Sequence, residues 1–143
     1  MLIRPATLED VPGGLKMLAA AGLPIEGTLA ATRVAASQAR ESPSIALVAV
    51  DDDGKIAGGI AFDIVPSLDE NGATACVQIM AVAPAFQRRG IGRLLLDDVE
   101  RRAWESGCGR VEIVPGVQRP EARAFYTAQG YRKVNNRMVK RRI

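Results

Sequence analysis

Hydrophobic and polar positions along the chain switch between a period near two and a period near 3.6, the mark of strands alternating with helices. Ile3-Arg4-Pro5-Ala6 reads as a short first strand. Thr7-Leu8-Glu9-Asp10 then offers a capping-box start, with Thr7 as N-cap and Asp10 in place of the usual Glu. Leu15, Leu18 and Ala19 supply an apolar helical face behind it, although Pro12 and the Gly13-Gly14 pair weaken the first turns. A second helix is expected over Thr28–Ala39, closed before Pro43 because the residue ahead of a proline avoids helical backbone. Ser44–Val50 and Lys55–Val65 are strand-like runs joined by Asp51-Asp52-Asp53-Gly54, and an Asp-Gly pair in that position signals a hairpin. Thr74–Val82 is apolar on both alternating sets, with Val77, Ile79 and Ala81 expected on one side and Cys76, Met80 and Val82 on the other. Gln78 interrupts the second set, and such a strand belongs in the middle of a covered sheet.

A strong helix follows over Ile91–Ser106, with the stripe Ile91, Leu94, Leu95, Val99 and Ala103 and the expected ion pairs Asp97–Arg101 and Asp98–Arg102. Gly107 and Gly109 are expected to end it. Arg110–Val114 reads as a strand and Pro120–Gln129 as a helix with proline at its first position and Gly130 past its end. Tyr131–Lys140 reads as a last strand or a pair of strands. The order β-α-α-β-β-β-α-β-α-β predicts a mixed α/β sheet, and 143 residues against about 100–200 per domain predict one domain over 1–143.

Composition narrows the chemistry. The chain contains no histidine, which removes imidazole-dependent nucleophile activation, HExxH zinc sites and the His-x-Glu deaminase signature. Two cysteines, Cys76 and Cys108, are too few and too far apart for a metal knuckle, so no metal is expected and buried reduced thiols are the favoured reading. The start of the chain lacks the apolar core of a signal peptide, and Ile45–Val50 is the longest apolar run, so a cytoplasmic protein without membrane contact is expected. Charge is lopsided: residues 1–87 hold five basic and ten acidic side chains, residues 88–143 fourteen basic and six acidic. A basic half suggests a polyanion, either nucleic acid or a phosphorylated cofactor.

The segment Val82-Ala83-Pro84-Ala85-Phe86-Gln87-Arg88-Arg89-Gly90-Ile91-Gly92-Arg93 leaves a buried strand and enters a helix. Glycines at a helix start let a ligand approach the backbone, and the free N–H groups of the first turn with the helix dipole suit a pyrophosphate. Arg88, Arg89 and Arg93 add positive charge. A Walker loop needs Lys-Ser/Thr after the glycines, and a dinucleotide fingerprint needs glycine where Leu95 stands.

Gln87-Arg88-Arg89-Gly90-Ile91-Gly92, taken with Ala124-Phe125-Tyr126-x-x-x-Gly130-Tyr131, resembles the two signatures of the GNAT superfamily of acyl-CoA N-acyltransferases. Val82-x-Pro84 and the element order match as well, so the likeness covers nearly the whole chain. It implies an α/β (α+β) fold with a mostly antiparallel sheet of six or seven strands and about four helices, splayed between strands four and five. It implies transfer of an acetyl group from acetyl-CoA to a primary amine of a small molecule, protein or peptide, by direct attack in a ternary complex. Gln87, Arg88, Arg89, Gly90, Ile91, Gly92 and Arg93 would then hold the pyrophosphate, while Met80, Ala81 and Val82 pair with the pantetheine arm. A main-chain N–H near Val82 would stabilise the oxyanion, Phe125 would also contact the cofactor, and Tyr126 would give a proton to the departing thiolate.

Two positions depart from the family's pattern. A general-base Glu is common on the fourth strand, where this chain has Cys76 and Gln78; ordered water, Asp63 or Glu112 are the remaining routes. Arg119 stands where an Asn often precedes the last helix, and would instead reach the cofactor phosphates or the acceptor. The acceptor would meet Leu8–Ser42 and Pro66–Gly72, whose Glu26, Glu41, Asp69 and Glu70 favour a cationic amine. The family often dimerises, so a homodimer stays open. A rival reading keeps the fold as a non-catalytic acyl-CoA-binding sensor, and a more distant one is a nucleic-acid-binding protein, against which six aromatics and no recognition motif weigh.

Overall fold

A computed structural model describes residues 1–23, 25–39, 44–66, 72–114 and 120–142. β1 (Leu2–Pro5) leads through a 3-10 turn (Leu8–Asp10) into α1 (Val11–Ala20) and then α2 (Gly27–Ala39). β2 (Ser44–Val50), β3 (Ile56–Pro66) and β4 (Ala73–Val82) follow. A second 3-10 turn (Pro84–Phe86) precedes α3 (Ile91–Glu105), β5 (Cys108–Ile113), α4 (Pro120–Ala128), β6 (Arg132–Val134) and β7 (Arg137–Arg141). The strands form one seven-stranded sheet in the order β1-β2-β3-β4-β5-β7-β6. Every neighbouring pair is antiparallel except β4 with β5, which the α3 crossover makes parallel.

Local chemistry accounts for most of these boundaries. The Asp51-Asp52-Asp53-Gly54 turn closes as expected: Asp51 Oδ1 accepts the N–H groups of Asp53 and Lys55, and Gly54 sits at φ +81°. The capping box also forms, with the Thr7 N–H donating to Asp10 Oδ2 at 2.7 Å, but the first turn it starts is 3-10 and the α-helix begins at Val11. Gly107 at φ +83° and Gly130 at φ +93° end α3 and α4, whereas Gly109 lies inside β5. The segment after Gly130 is a pair of strands, turning at Asn135 with φ +55°.

The sheet separates two apolar clusters. The larger one packs Leu95, Leu96, Val99 and Ala103 of α3 against Phe62, Val77, Val111 and Ile113, with Tyr126 and Tyr131 closing one end. Ala46, Val48, Val50 and Ala61 form the second on the opposite face, beneath Val34 of α2. Leu94 is 44% exposed, and Leu96 takes its place in the buried stripe. On the wet side, Asp98 accepts from both Arg102 Nε at 2.6 Å and Arg101 at 3.1 Å. Arg101 therefore does not pair with Asp97, which lies 3.9 Å from Arg93.

Asp10 joins the start of α1 to β1 through a two-pronged ion pair, with Arg4 nitrogens at 2.8 and 2.9 Å. The Arg4 guanidinium holds its carboxyl down from 3.8 to about 2. Since the folded value is the lower one, this stability is present above pH ~4 and lost as pH falls from 4 toward 2. Asp10→Asn is expected to lose about 1–2 kcal/mol at pH 7 in urea unfolding, with the difference from the parent vanishing near pH 2.

Candidate active site

β4 and β5 pair from Ala73↔Cys108 to Val77↔Ile113, and β4 then runs on to Val82 without a β5 partner among the described residues. At the point of parting β4 carries a bulge: Ala61 pairs with Ile79 and Phe62 with Val77, leaving Gln78 as the extra residue. The bulge inverts the alternation expected for this strand. Met80 and Val82 pack on the same cluster as Val77, while Ile79 joins the cluster on the other face. One face of the freed edge is thus lined by Met80 and Val82, and its backbone groups on the β5 side require another partner.

The chain turns from that edge into α3 through a tight loop. Arg88 at φ +66° and Gly90 at φ +79° both adopt left-handed backbone, an arrangement that costs a non-glycine residue about 1–2 kcal/mol. Gln87 Nε2 donates to the Val82 carbonyl at 3.3 Å, joining loop to strand. Gly90 is the N-cap of α3 with no side-chain cap, so the first-turn N–H groups stay open, and a Cβ built at Gly90 meets nothing within 4 Å. Gly92 acts through packing instead. A Cβ there would lie 3.2 Å from the Phe125 ring, so its bareness lets α4 close on α3. Lys140 Nζ and the Tyr131 hydroxyl both donate to Glu100 of α3, at 2.8 and 3.0 Å, and Lys140 also reaches the Gln129 carbonyl at the end of α4.

Between these elements lies an open groove of about 660 Å³. Of the residues singled out in the sequence, Met80, Val82, Gln87, Arg88, Gly90, Ile91, Gly92, Arg93 and Phe125 line it. Ala81 is buried and Arg89 instead lies over the Phe86 ring, 5.4 Å from its centroid; neither lines the groove. Arg119 lies outside the described residues. Phe86, Ala122 and Gln129 line the groove without having been singled out. Ala122 and Gln129 stand three before and four after Phe125, so the helical period of α4 carried their signal. A long, open cleft with a bare helix N-terminus at one end and an unpaired strand edge at the other suits an extended ligand with a phosphate group.

Comparison with known proteins names the fold. The model of the Acetyltransferase (GNAT) family matches residues 19–131. The chain belongs to the GNAT family. Its fold is shared with a glucosamine-6-phosphate N-acetyltransferase from Arabidopsis thaliana, at TM-score 0.79 and 18% identity over 94% of this chain and 92% of that one. A PaiA N-acetyltransferase from Thermoplasma acidophilum, solved in complex with coenzyme A, superposes with TM-score 0.77 and 17% identity over 99% and 98%. A putative acetyltransferase from Agrobacterium tumefaciens does so with TM-score 0.78 and 24% identity over 94% and 95%. In sequence, the uncharacterized protein YdhI of Bacillus subtilis is 30% identical over 83 residues, 58% of this chain and 47% of YdhI. The chain thus spans about half the length of the curated relative it matches.

Within this GNAT domain the titratable groups divide clearly. Tyr126 is 1% exposed, and its ring centroid lies 5.4 Å from Phe125 and 6.2 Å from Tyr131. It therefore stands behind the groove wall that Phe125 forms. Burial pushes its hydroxyl well above the usual 10, so it stays protonated, and no described residue hydrogen-bonds it. Burial, with Glu112 second, likewise raises the Cys76 thiol; Cys108 is also buried and free. Asp63 is bound by Arg33 at 2.8 Å and by Ser44 Oγ at 2.7 Å. Glu112 is bound by Arg137 at 2.8 Å and Arg110 at 3.0 Å. Both carboxylates serve as ion-pair partners that tie neighbouring elements together. Of the acids expected near an acceptor, Glu26 is exposed, and Glu41, Asp69 and Glu70 lie outside the described residues.

The groove's position depends on how closely α3 approaches β3. A Cβ at Gly58 would fall 2.9 Å from the Ala81 carbonyl oxygen and 3.3 Å from both Ile91 and Leu95. Gly58→Ala is expected to lose about 1–3 kcal/mol in urea unfolding, because main chain rather than a mobile side-chain tip must give way.

Proposed function

We propose that the chain is an acetyl-CoA-dependent N-acetyltransferase that joins acetyl-CoA and a primary amine in one ternary complex. The observation that carries this reading is the single groove that joins the freed β4 edge to the uncapped N-terminus of α3. Its fit to the co-substrate is specific: a strand edge for the amide-bearing pantetheine arm, and open N–H groups with Arg88 and Arg93 for the pyrophosphate. Acetyl-CoA supplies the activated acyl thioester. The β4 edge orients it and offers N–H donors to the carbonyl oxygen, where negative charge develops as the amine attacks. Phe125 and the neighbouring aliphatic residues exclude water from the thioester. Tyr126 is proposed as the proton donor to the departing thiolate. Burial keeps its hydroxyl protonated, so a proton is available to give, and its position behind Phe125 makes a shift of that ring part of the proposal.

A second reading, acyl-CoA binding without turnover, is favoured by the burial of Tyr126 behind the groove wall and by the ion pairs that occupy Asp63 and Glu112. The nucleic-acid reading gains nothing from four of the fourteen cations of the basic half, which are paired internally: Arg102 on Asp98, Arg110 and Arg137 on Glu112, and Lys140 on Glu100.

Calorimetric titration is expected to give saturable acetyl-CoA binding that Gly90→Val weakens at least tenfold, with ADP binding more weakly and a short RNA not at all. Heat from RNA alone overturns the reading. Tyr126→Phe is expected to lower kcat in a thiol-release assay by about 100-fold while leaving acetyl-CoA affinity within twofold. An unchanged kcat removes Tyr126 from the chemistry, and a parent protein that binds without any thiol release with a broad amine panel favours the sensor.

A further inference from the structure

The face of the sheet away from α3 has two unlike regions. α1 and α2 pack over β2, β3 and β4 and enclose a small apolar cavity of about 100 Å³, walled by Leu15, Leu18, Val34 and Ile79. At the other end of the same face lies a polar pocket of about 240 Å³, lined by residues of β5, β6, β7 and the turn between the last two. Strand alternation puts its side chains there. Val111, Ile113 and Met138 enter the α3 cluster, so Arg110 and Glu112 of β5 and Arg137 and Arg141 of β7 point the opposite way. Both oxygens of Glu112 are taken: Arg137 Nη1 donates to Oε2 at 2.8 Å, and Arg110 Nε lies 3.0 Å from Oε1. Arg141 stands directly across the ladder from Arg110, is exposed, and has no ion pair among the described residues. The next acid along this face is Asp63, two strands away beyond Cys76, and Arg33 and Ser44 already hold it. Like charges facing each other across a ladder are destabilising, and three guanidiniums around one carboxylate leave the pocket with two positive charges in excess.

We propose that this pocket binds a phosphate group, carried by the free ion or by a small phosphomonoester, at a site separate from the groove. Charge selects the class. A phosphate group with about −1.5 to −2 charges near pH 7 matches the excess of two, whereas a carboxylate supplies half of it. Geometry agrees, since guanidinium forks pair with phosphate oxygens two at a time. Arg141 is open for such a pair, and the Arg137 side chain is 43% exposed, so it can reach a ligand while it holds Glu112. Asn135 and Asn136, at the turn, add carboxamide N–H donors to the same lining. The Arg110 and Glu112 side chains are only 20% and 13% exposed, so salt screens this cluster less than it screens cations on an open surface. A bound phosphate would relieve the repulsion between Arg110 and Arg141 and tie β5 to β7. The sheet stands between this pocket and the groove, where Met80 and Val82 face the α3 cluster, so phosphate binding here does not depend on acetyl-CoA.

The test is titration calorimetry at constant ionic strength, with inorganic phosphate, methyl phosphate and acetate as probes on the parent, Arg141→Gln, Arg142→Gln and Gly90→Val. Arg142→Gln removes an exposed charge that does not line the pocket, Gly90→Val alters the groove, and thermal melting checks that each variant is folded. Phosphate is expected to bind the parent saturably below about 10 mM and to raise its Tm, with acetate at least tenfold weaker. Arg141→Gln is expected to weaken phosphate at least tenfold, and Arg142→Gln and Gly90→Val to leave it within twofold. Methyl phosphate binding as tightly as phosphate identifies a phosphomonoester as the ligand, and binding of phosphate alone identifies the free ion; either supports the site. Absence of saturable binding, acetate binding as tightly as phosphate, or an equal loss in Arg142→Gln and Arg141→Gln overturns it. Phosphate lost in a folded Gly90→Val and kept in Arg141→Gln places the anion in the groove and overturns it as well. Should Gly90→Val fail to fold, the Arg141→Gln and Arg142→Gln pair decides alone.

Discussion

The parting of β4 from β5 after Val77 is the constraint around which the molecule is arranged. A central strand has hydrogen-bonding groups on both edges, and beyond Val77 β4 has no strand partner on the β5 side among the described residues, the Val82 carbonyl being taken by Gln87 Nε2. In a sheet interior that would be a large penalty. Here the opening faces an open groove rather than packed interior, so those groups stay within reach of solvent. The bulge at Gln78 belongs to the same arrangement, because it turns Met80 and Val82 toward the groove and sends Ile79 to the other side. One inserted residue thus gives the strand a distinct surface on each face of the sheet, with the open groove on one and the apolar cavity on the other.

The remaining architecture holds the groove walls in place. Gly58 lets α3 lie directly on β3, Gly92 lets α4 close on α3, and the Glu100 carboxylate gathers Lys140 and Tyr131 so that the end of α4 cannot drift. Each contact is ordinary by itself. Together they fix the distance between a helix N-terminus and a strand edge, which is what an extended phosphate-bearing ligand measures. The left-handed Arg88 is consistent with this, since unfavourable backbone persists where surrounding structure and a ligand-facing loop require it.

The charge asymmetry takes on a different meaning in three dimensions. Summed along the sequence, the second half looks like a polyanion-binding surface. Folded, many of its cations sit against acids of their own half, with Glu112 holding two arginines and Glu100 one lysine. Of the others, Arg88 lines the groove, as does Arg93 beside Asp97, while Arg123, Arg132, Lys133, Arg141 and Arg142 are exposed elsewhere. The acidic first half behaves similarly, because Asp10 and Asp63 are bound by arginines and the pocket between them is apolar. Net charge of a segment carries no information about which charges cancel across the fold.

Much of this protein was legible in its residues. The Asp-Gly turn, the capping box of Thr7 and Asp10, the glycine stops after α3 and α4, and the glycine-flanked loop at Gly90 are local signals, and local chemistry decided them. Nine of the groove residues could be named because loop and helix motifs report on contiguous stretches. What the chain alone left open depends on partners distant in sequence. Whether Gln78 is a strand residue or a bulge is decided by the register against β3, and that register reversed the expected facing of Ile79, Met80 and Val82. Whether Leu94 or Leu96 is buried is decided by the angle at which α3 meets the sheet. Tyr126 carried a motif in sequence, but only packing against Phe125 and Tyr131 set it behind the wall rather than in the groove. Periodicity and motifs specify elements and their chemistry, whereas the side of a surface on which a group emerges depends on neighbours supplied by the whole fold.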